Sequence, residues 1–320
     1  MTQPTPIPDT SWLTFKDAFV QRYSALTDYE AFKRYSLSFL RRSIRVNTLK
    51  ICVDELKARL EKNWQLTPVP WCAEGFWIKG ERRDEGNLLE HALGYIYIQE
   101  AASMIPPVVL DPKPGERILD LCASPGSKAS QIAMYMHNEG VLVANDYKGA
   151  RLSPLGMNLQ RMGVTNAALT LYFGEQFPSV EFDRILVDAP CSGTGTIRKS
   201  LKTVNIWNPY MITKLAAAQR RLLLKAFTLL KPGGTLVYST CSLEPEENEG
   251  VVSALLDHEP TAALVPIHLP LGRSNAVTSF EKARYRPEVA HCLRLWPQDN
   301  DTEGFFVAKI SKDKANNIKI

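Results

Sequence analysis

The pattern of apolar and polar positions predicts two parts in this chain. Apolar side chains recur every three or four positions in the first forty residues, at Phe15, Phe19, Tyr23 and Leu26. This spacing predicts helices that bury one face. Further along, the pattern predicts a strand at 43–48, a helix around 53–60 and two short strands near 66–71 and 75–79. We therefore expect residues 1–95 to form a helical lead-in and a small α+β module.

From residue 96 onward, segments typical of strands alternate with segments typical of helices. The predicted strands lie at 117–121, 140–145, 168–172, 184–187, 235–239 and 304–310. The predicted helices lie at 128–136, 150–163, 211–230 and 251–256. Such alternation is typical of a parallel sheet with helices on both faces. The predicted fold class is therefore α/β, a doubly wound and mostly parallel sheet over residues 96–312, with a polar tail at 313–320.

Composition and charge narrow the class of protein only a little. The 320 residues are 45% hydrophobic and 22% charged, with a net charge of +4, which predicts a globular chain but does not by itself indicate nucleic acid. Residues 1–12 carry no basic residue, so we expect neither an export signal nor a transit peptide. No apolar run approaches the roughly 18–20 residues of a membrane span. We expect a cytoplasmic protein.

The six cysteines are widely separated along the chain, at 52, 72, 122, 191, 241 and 292. There is no C-x-x-C motif and no neighbouring pair of histidines, so a structural zinc site is not expected. In a reducing compartment these residues should be free thiols. We expect no bound metal.

A tight turn of small residues follows the first strand of the predicted sheet. The segment 118–128 reads Ile-Leu-Asp-Leu-Cys-Ala-Ser-Pro-Gly-Ser-Lys, and such a turn lets the backbone approach a nucleotide closely. It contains neither G-x-G-x-x-G nor a complete phosphate-binding loop. Asp146 ends the second strand, where a carboxylate can bind ribose hydroxyls or can simply begin a turn. Together, the turn and this acid favour an adenosine-type cofactor.

Two cysteines follow the ends of two strands that should be neighbours. Cys191 lies three residues after Asp188 at the end of the fourth strand, and Cys241 follows the fifth strand. Open sheets bind ligands at the carboxyl ends of their strands, so both thiols should face one cleft. A single cysteine at such a position is more often structural than catalytic. The pair beside an acid favours a chemical role.

Two thiols, an acid and an adenosine-type cofactor fit methylation of cytosine at carbon 5. A thiolate that adds to carbon 6 makes carbon 5 nucleophilic enough to attack a sulfonium methyl group. A second base would then remove the proton from carbon 5. Asp188 could absorb charge at ring nitrogen 3 if its carboxyl group is protonated or shares a proton.

The charges near Cys241 work in both directions. A helix predicted to begin near Pro245 would favour a Cys241 thiolate through its amide dipoles. The carboxylates of residues 244, 246 and 247 would oppose the thiolate. Lys128 could supply further positive charge.

At these positions the chain resembles the NSUN/RsmB family of RNA cytosine-5 methyltransferases, which use S-adenosyl-L-methionine. The matching segments are Leu-Arg-Arg-Ser-Ile-Arg-Val-Asn-Thr-Leu-Lys at 40–50, Gln-Glu-Ala-Ala-Ser-Met at 99–104, the turn at 122–128, Asp-Ala-Pro-Cys-Ser-Gly at 188–193, Tyr-Ser-Thr-Cys-Ser at 238–242, Glu-Glu-Asn-Glu at 246–249 and Glu-Gly-Phe-Phe-Val-Ala at 303–308. The resemblance implies a class I methyltransferase domain of Rossmann-like type at 96–312 and an RNA-binding module within 1–95.

The resemblance also implies roles for individual residues. Cys241 would be the nucleophile, Cys191 would help to release the methylated base, and Lys128 and Asp188 would lie beside that base. The implied cofactor pocket comprises Cys122, Ala123, Ser124, Pro125, Gly126, Ser127, Lys128, Asp146, Arg151, Phe173 and Asp188. Phe173 stands where the family usually has an aspartate beside adenine, so adenine would be held by stacking or by backbone groups.

Within the family, the chain is most similar to the bacterial small-subunit ribosomal RNA methyltransferase F group. The similarity lies at 40–50, 70–77 and 303–306. That group normally carries a further C-terminal RNA-binding domain, which we expect to be missing after the predicted closing strand. Ribosomal RNA is therefore the expected substrate and transfer RNA the alternative, with a monomer favoured. The target cytosine must leave its stack to reach the thiols.

Several basic residues could contact RNA phosphates or could simply form a solvated surface. They are Arg41, Arg42, Arg45, Lys50, Arg198, Lys199 and Lys202. Phosphate contacts of this kind position RNA without reading its sequence. We expect Trp207 to pack in the core rather than stack on a base.

Two other functions remain open on the sequence alone. A DNA cytosine methyltransferase would use the same chemistry with Cys191 as the attacking group, but its Glu-Asn-Val motif is not apparent. A non-catalytic RNA-binding or assembly factor could retain the fold, with Phe173 as the damaged position. Retention of Asp188, Cys191, Cys241 and Lys128 argues against the second function.

Overall fold

A computed structural model describes residues 4–81 and 84–313 of the chain. It begins with two helices, α1 (Asp17–Leu26) and α2 (Tyr29–Ser36). Their aromatic residues Phe19, Tyr23 and Phe32 are fully buried and pack against Trp207 and Trp296 from distant parts of the sequence. The helical lead-in is therefore predicted correctly, but it packs on the larger part of the molecule.

A small antiparallel sheet follows the lead-in. Its elements are β1 (Ser43–Val46), α3 (Val53–Leu60), β2 (Gln65–Pro68), β3 (Gly75–Lys79), α4 (Leu89–Ala92) and β4 (Ile96–Ile98). The strand order is β2-β3-β1-β4. The sequence did not predict β4, whose Ile98 pairs with Ile44 of β1. Because of that pairing, this sheet extends beyond residue 95, where we expected the module to end.

The rest of the chain builds one large sheet with its helices. Its first elements are α5 (Ile105–Leu110), β5 (Arg117–Asp120), α6 (Ser127–Tyr135), β6 (Val141–Asp146), α7 (Gly149–Met162), β7 (Ala167–Leu171) and β8 (Phe182–Asp188). Then come α8 (Lys202–Ile206), α9 (Pro209–Thr228), β9 (Leu230–Thr240), α10 (Glu249–His258) and β10 (Ala262–Val265). The last are β11 (Ser279–Phe280), β12 (Ala283–Arg284), β13 (Leu293–Leu295), α11 (Pro297–Asn300) and β14 (Phe305–Lys312).

The order of strands in the large sheet is β10-β14-β9-β8-β5-β6-β7, with β13 also paired to β14. Strands β5 to β9 are mutually parallel. Strand β14 runs antiparallel to β9, and β10 and β13 run antiparallel to β14. The predicted mostly parallel sheet is therefore confirmed. The sequence did not predict β10, β13, α5 or α8, all of which are eight residues or shorter and lack a clear period.

Both faces of the large sheet are covered by helices. Ile118 and Val237 belong to a buried cluster that includes residues of α5, α6 and α7. Their sequence neighbours Leu119 and Leu236 belong to a second cluster with α9 and α10 on the opposite face. Successive side chains of a strand point to opposite faces, so this division shows the doubly wound arrangement.

The start of one long strand differs from the predicted one. Strand β9 begins at Leu230 rather than near 235, because Leu230 already pairs with Phe182 across an irregularity in the register. The predicted polar tail lies outside the described residues, apart from Asp313. Along the ranges 4–81 and 84–313, none of the helices combines the length and the apolar character that crossing a membrane requires.

Candidate active site

The two cysteines that follow neighbouring strands lie side by side. Strands β8 and β9 are parallel, and Asp188 is paired with Ser239 at their carboxyl ends. The Sγ atoms of Cys191 and Cys241 are 3.2 Å apart, and both side chains are half-buried. The expectation that the two thiols lie close together is confirmed. All six cysteines are free.

Backbone hydrogen bonds fix the loop of each cysteine against the other. The N–H of Gly195 donates to the carbonyl of Cys241 at 2.9 Å, and the N–H of Gly304 donates to the carbonyl of Gly195 at 2.9 Å. A Cβ atom at Gly195 would lie 2.1 Å from the carbonyl oxygen of Gly304. Only glycine allows three chain segments to meet this closely.

The buried carboxylate of Glu247 joins the two loops through side-chain contacts. It accepts hydrogen bonds from the N–H of Ser192 at 3.0 Å, from Nε2 of Gln219 at 2.8 Å and from Oγ of Ser242 at 2.8 Å. Burial raises the pKa of Glu247, and these donors partly offset that effect. The chain folds around this carboxylate before α10 begins.

Helix α10 therefore does not begin where the sequence predicted. It starts at Glu249, with Asn248 preceding it, rather than near Pro245. The helix therefore begins four residues farther from Cys241 along the chain than predicted, and the stabilisation of a Cys241 thiolate by its amide dipoles stays a prediction. The sequence missed this because the hydrogen bonds of Glu247 are formed with distant residues.

The glutamates near Cys241 were expected to repel a thiolate there. Hydrogen-bond donors and a cation offset their negative charge. Buried Glu244 accepts from Nε of Arg22 at 2.7 Å, from the hydroxyl of Tyr23 at 2.7 Å and from Nε1 of Trp207 at 3.0 Å. Glu246 pairs with the same arginine. Trp207 is 2% exposed, which confirms its predicted place in the core. Helix α1 thus supplies the cation that balances this acidic segment.

The thiol of Cys191 is held in its protonated form. Its hydrogen bond with Cys241, its burial and the charge of Glu247 all raise the pKa of Cys191 well above its ordinary value. The two sulfurs lie within hydrogen-bond distance, and either thiol can be the donor.

Lys128 and Asp188 form an ion pair beside the thiols. Nζ of Lys128 is 2.6 Å from Oδ2 of Asp188, and Oδ1 accepts from the hydroxyl of Ser239 at 2.7 Å. Burial lowers the pKa of Lys128, but the carboxylate of Asp188 and the sulfur of Cys241 outweigh it, so that the pKa lies above its usual value. Lys128 therefore carries the positive charge of this ion pair.

Asp120, at the end of β5, is a candidate that the sequence analysis did not select. Its side chain is 1% exposed, and neither carboxylate oxygen has a hydrogen-bond partner of normal geometry among the described residues. Burial first, and then the charge of Asp188, raise the pKa of Asp120 to about 7, although Lys128 and the N–H of Cys122 partly compensate. The sequence signal that could have identified Asp120 is an acid at the end of an apolar strand, directly before the turn.

A cavity of about 340 Å³ lies beside the carboxyl ends of these strands. Four of the predicted cofactor residues line it, namely Cys122, Asp146, Arg151 and Phe173. The lining also includes residues that were not predicted, among them Asn145, Tyr147, Pro190 and Gln219. Pro190 directly precedes Cys191, so the cavity reaches towards the thiols. Burial and the neighbouring carboxylates raise the pKa of Cys122 well above its ordinary value, so this thiol is not a nucleophile.

The remaining predicted cofactor residues are not part of the cavity lining. Lys128 and Asp188 lie with the cysteines, and the others form the turn between β5 and α6, namely Ala123, Ser124, Pro125, Gly126 and Ser127. Oγ of Ser124 donates to the carbonyl of Arg151 at 2.9 Å, and Nη2 of Arg151 donates to the carbonyl of Ser124 at 2.8 Å. Nε of Arg151 also lies 3.5 Å from Asp146. Arg151 therefore ties the turn to the acid at the end of β6.

Two of the basic residues that could contact phosphate or form a solvated surface are buried instead. Arg45 is fully buried and donates to Oγ of Ser130 at 2.8 Å. Arg198 is 6% exposed and donates to the carbonyls of Ser38, Phe39 and Thr302 and to Asp301. Both alternatives are therefore wrong for these two residues, because their guanidinium groups hold separate chain segments together.

The other basic residues lie nearer the surface. The guanidinium of Arg41 lies 3.7 Å from the ring centre of Trp77, and Arg42 pairs with Glu85. Nζ of Lys50 donates to the carbonyls of Leu93 and Arg161. Lys199 and Lys202 are exposed. Within the described parts of the chain, no cluster of three or more His, Cys, Asp or Glu side chains is arranged to hold a metal ion.

Comparisons with known proteins cover most of the chain. Residues 107–311 match the family described as 16S rRNA methyltransferase RsmB/F, and residues 15–101 match the N-terminal domain of 16S rRNA methyltransferase RsmF. A tRNA (cytosine(49)-C(5))-methyltransferase of Pyrococcus abyssi is 50% identical over 298 residues, which are 92% of this chain and 96% of that protein.

A longer bacterial protein and a solved structure are also similar to the chain. The ribosomal RNA small subunit methyltransferase F of Erwinia tasmaniensis is 43% identical over 95% of this chain, and the match spans 64% of that longer protein. The crystal structure of a methyltransferase homologue from Pyrococcus horikoshii superposes with a TM-score of 0.82 at 41% identity, covering 95% of this chain and 99% of the other.

Proposed function

The chain belongs to the RsmB/F family of 16S rRNA methyltransferases, and we propose that it methylates carbon 5 of cytosine in RNA with S-adenosyl-L-methionine as methyl donor. The observation that carries this proposal is the pair of sulfur atoms 3.2 Å apart beside the Lys128–Asp188 ion pair. A single thiol could perform the addition, but only a second group at the same place explains how the product is released.

The site has features that fit S-adenosyl-L-methionine. A cavity of about 340 Å³ is within the usual range of ligand sites. Asp146, 1% exposed at the end of β6, lies where ribose hydroxyls would bind. The unpartnered carboxylate of Asp120 suits a positively charged ligand group, since a buried acid without partners is costly. When bound, this cofactor supplies an electrophilic methyl group.

Cys241 begins the reaction on the RNA. Its thiolate adds to carbon 6 of cytosine, the double bond between carbons 5 and 6 opens, and charge develops on ring nitrogen 3. Nζ of Lys128 can donate a proton to that nitrogen, because the ion pair with Asp188 holds the ammonium group in place. Carbon 5 of the resulting enamine is then nucleophilic enough to take the methyl group.

Cys191 changes its role once Cys241 has formed its bond to carbon. The sulfur of Cys241 is then a neutral thioether, which weakens its hydrogen bond with Cys191, the largest cause of the high pKa of Cys191. Cys191 can then lose its proton to water and, as a thiolate, remove the proton from carbon 5. The electrons of that C–H bond restore the ring double bond, Cys241 leaves as a thiolate, and ring nitrogen 3 returns its proton to Nζ of Lys128.

For the substrate we propose ribosomal RNA first, since both matching family models carry that description. Transfer RNA is the second candidate because the Pyrococcus abyssi relative, named as a tRNA methyltransferase, matches over 96% of its own length. In either RNA the target base must lie in a loop or a distorted site, because both sulfur atoms are half-buried.

One experiment tests the reaction and separates the two substrates. Purified protein is incubated with radiolabelled S-adenosyl-L-methionine and with small ribosomal subunits, free 16S ribosomal RNA or unmodified transfer RNA. Methylated positions are then mapped by bisulfite sequencing. We expect new 5-methylcytosine in one RNA class, and none with the Cys241→Ala variant. Methyl transfer by that variant, or transfer to a base other than cytosine, would contradict the proposal.

A further inference from the structure

One end of the cavity, beyond the carboxyl ends of β6 and β7, is bordered by two aromatic rings. Tyr147 directly follows Asp146, and Phe173 follows the end of β7. The ring centres are 6.1 Å apart, with the planes inclined by 37°. The two residues are 38% and 62% exposed. Rings at this spacing contact each other, and their faces form an apolar border of the cavity on which a flat heterocycle can stack.

The acidic side chains at this end already have partners. Both oxygens of Glu175 accept hydrogen bonds from Arg221, at 2.7 and 3.2 Å. Asp146 accepts from the backbone N–H of Lys148 and is paired with Arg151. The remaining polar side chain, Gln176, carries an amide that can donate or accept according to its rotation.

We propose that this end of the pocket recognises the purine of the cofactor by the faces of Tyr147 and Phe173, and does not select the substituent at purine carbon 6. This inference rests on the proposed use of S-adenosyl-L-methionine. Stacking depends on the ring face and is nearly indifferent to whether carbon 6 carries an amino or an oxo group. The protein should therefore accept hypoxanthine in place of adenine.

A carboxylate at position 173 would change this selectivity. It would accept a hydrogen bond from the 6-amino group of adenine and would repel the 6-oxo group of hypoxanthine, because two acceptors would then face each other. Residue 173 has φ −61° and ψ 124°, which any residue adopts, and its side chain is mostly exposed. The Phe173→Asp variant should therefore fold normally.

Calorimetric titration of the full chain tests the proposal, with S-adenosyl-L-homocysteine and S-inosyl-L-homocysteine as the two ligands. For the wild-type protein we expect dissociation constants within about threefold of each other. Phe173→Asp should increase the preference for the adenine ligand to about tenfold or more. Phe173→Leu should weaken both ligands about tenfold alike, because it removes the stacking ring but retains apolar bulk.

Tyr210→Phe is the matched control, since Tyr210 is exposed and lies outside the cavity lining, and the affinities of this variant should be unchanged. A wild-type preference for adenine above about thirtyfold would overturn the proposal, as would a Phe173→Leu variant that binds both ligands normally. If the wild-type protein binds neither ligand, the cofactor assignment fails and the inference fails with it. Binding with strong selectivity would overturn this inference alone.

Discussion

The two ends of the ligand-binding region are built differently. At the sulfur end, the loops of Cys191 and Cys241 are joined by backbone hydrogen bonds and by the buried carboxylate of Glu247. At the other end, which we call the base end because the purine of the cofactor is proposed to bind there, the rings of Tyr147 and Phe173 are 38% and 62% exposed and their centres are 6.1 Å apart. One end is rigidly determined by the fold, whereas the other depends on a few surface side chains.

This difference reflects what each end must do. Bond formation requires reacting atoms placed within a fraction of an ångström, so the sulfur end needs many mutually supporting contacts. Binding one face of a purine requires only a flat apolar surface, which several residue types can provide. Substitutions at the sulfur end should therefore affect the reaction rate, and substitutions at the base end should affect only ligand affinity.

The largest effect is expected for Cys241→Ser. A hydroxyl group is not ionised near neutral pH and adds poorly to carbon 6, so the single-turnover rate of methyl transfer should fall by at least about a thousandfold. Because residue 241 does not line the cavity, the affinity for S-adenosyl-L-homocysteine should stay within about twofold. A variant that loses affinity and rate together would break the separation of the two ends.

Lys128→Met should have the next largest effect. It leaves the half-buried carboxylate of Asp188 without its cation and removes the proton donor, so the single-turnover rate should fall about a hundredfold or more. Lys202→Met, at an exposed lysine, is the control and should change the rate by less than about threefold. Equal losses in both variants would indicate a general effect of positive charge rather than a role in the reaction.

The titration of the Asp120 carboxyl group should make the affinity for S-adenosyl-L-methionine depend on pH. Burial raises the pKa of Asp120 to about 7, and a cationic ligand requires the ionised form. The ionised fraction rises about tenfold between pH 6 and pH 8, so affinity should increase by about that factor over the same range. Titration of S-adenosyl-L-methionine at several pH values measures this. Asp120→Asn should bind weakly at all pH values, and an unchanged pH dependence in that variant would exclude Asp120 as the titrating group.

The smallest effect is expected at the base end, for Glu175→Gln. This residue is paired with exposed Arg221 and is not proposed to contact the purine. The affinity for S-adenosyl-L-homocysteine should remain within about twofold, because an exposed ion pair contributes little. A loss of tenfold or more would identify Glu175 as the acceptor for the 6-amino group, and the two ends would then be more alike than we conclude.

Much of the sulfur end could be predicted from the sequence. Strands β8 and β9 have clear apolar patterns, and in an open parallel sheet their carboxyl ends meet at one edge. Asp188, Cys191 and Cys241 could therefore be placed in one cleft. The raised pKa of Cys191 could not be predicted, because it depends on the hydrogen bond between the two sulfurs, on the burial of Cys191 and on the charge of Glu247.

Other features could not be predicted because they arise from contacts between distant segments. Arg45 and Arg198 look like surface cations in the sequence but are buried by partners 85 to 160 residues away. Strand β4 has only three residues and is defined by its pairing with β1. Asp120 has no sequence signature beyond its place at the end of a strand, and its unpartnered carboxylate is apparent only in three dimensions.

The central claim is that Cys241 bonds to the RNA and Cys191 releases it. The most direct measurement is mass spectrometry of denatured protein after incubation with substrate RNA and S-adenosyl-L-methionine. We predict that Cys191→Ala accumulates a covalent protein–RNA adduct at Cys241, and that Cys241→Ala forms none. An adduct at residue 191 in the Cys241→Ala protein, with none in Cys191→Ala, would contradict the account.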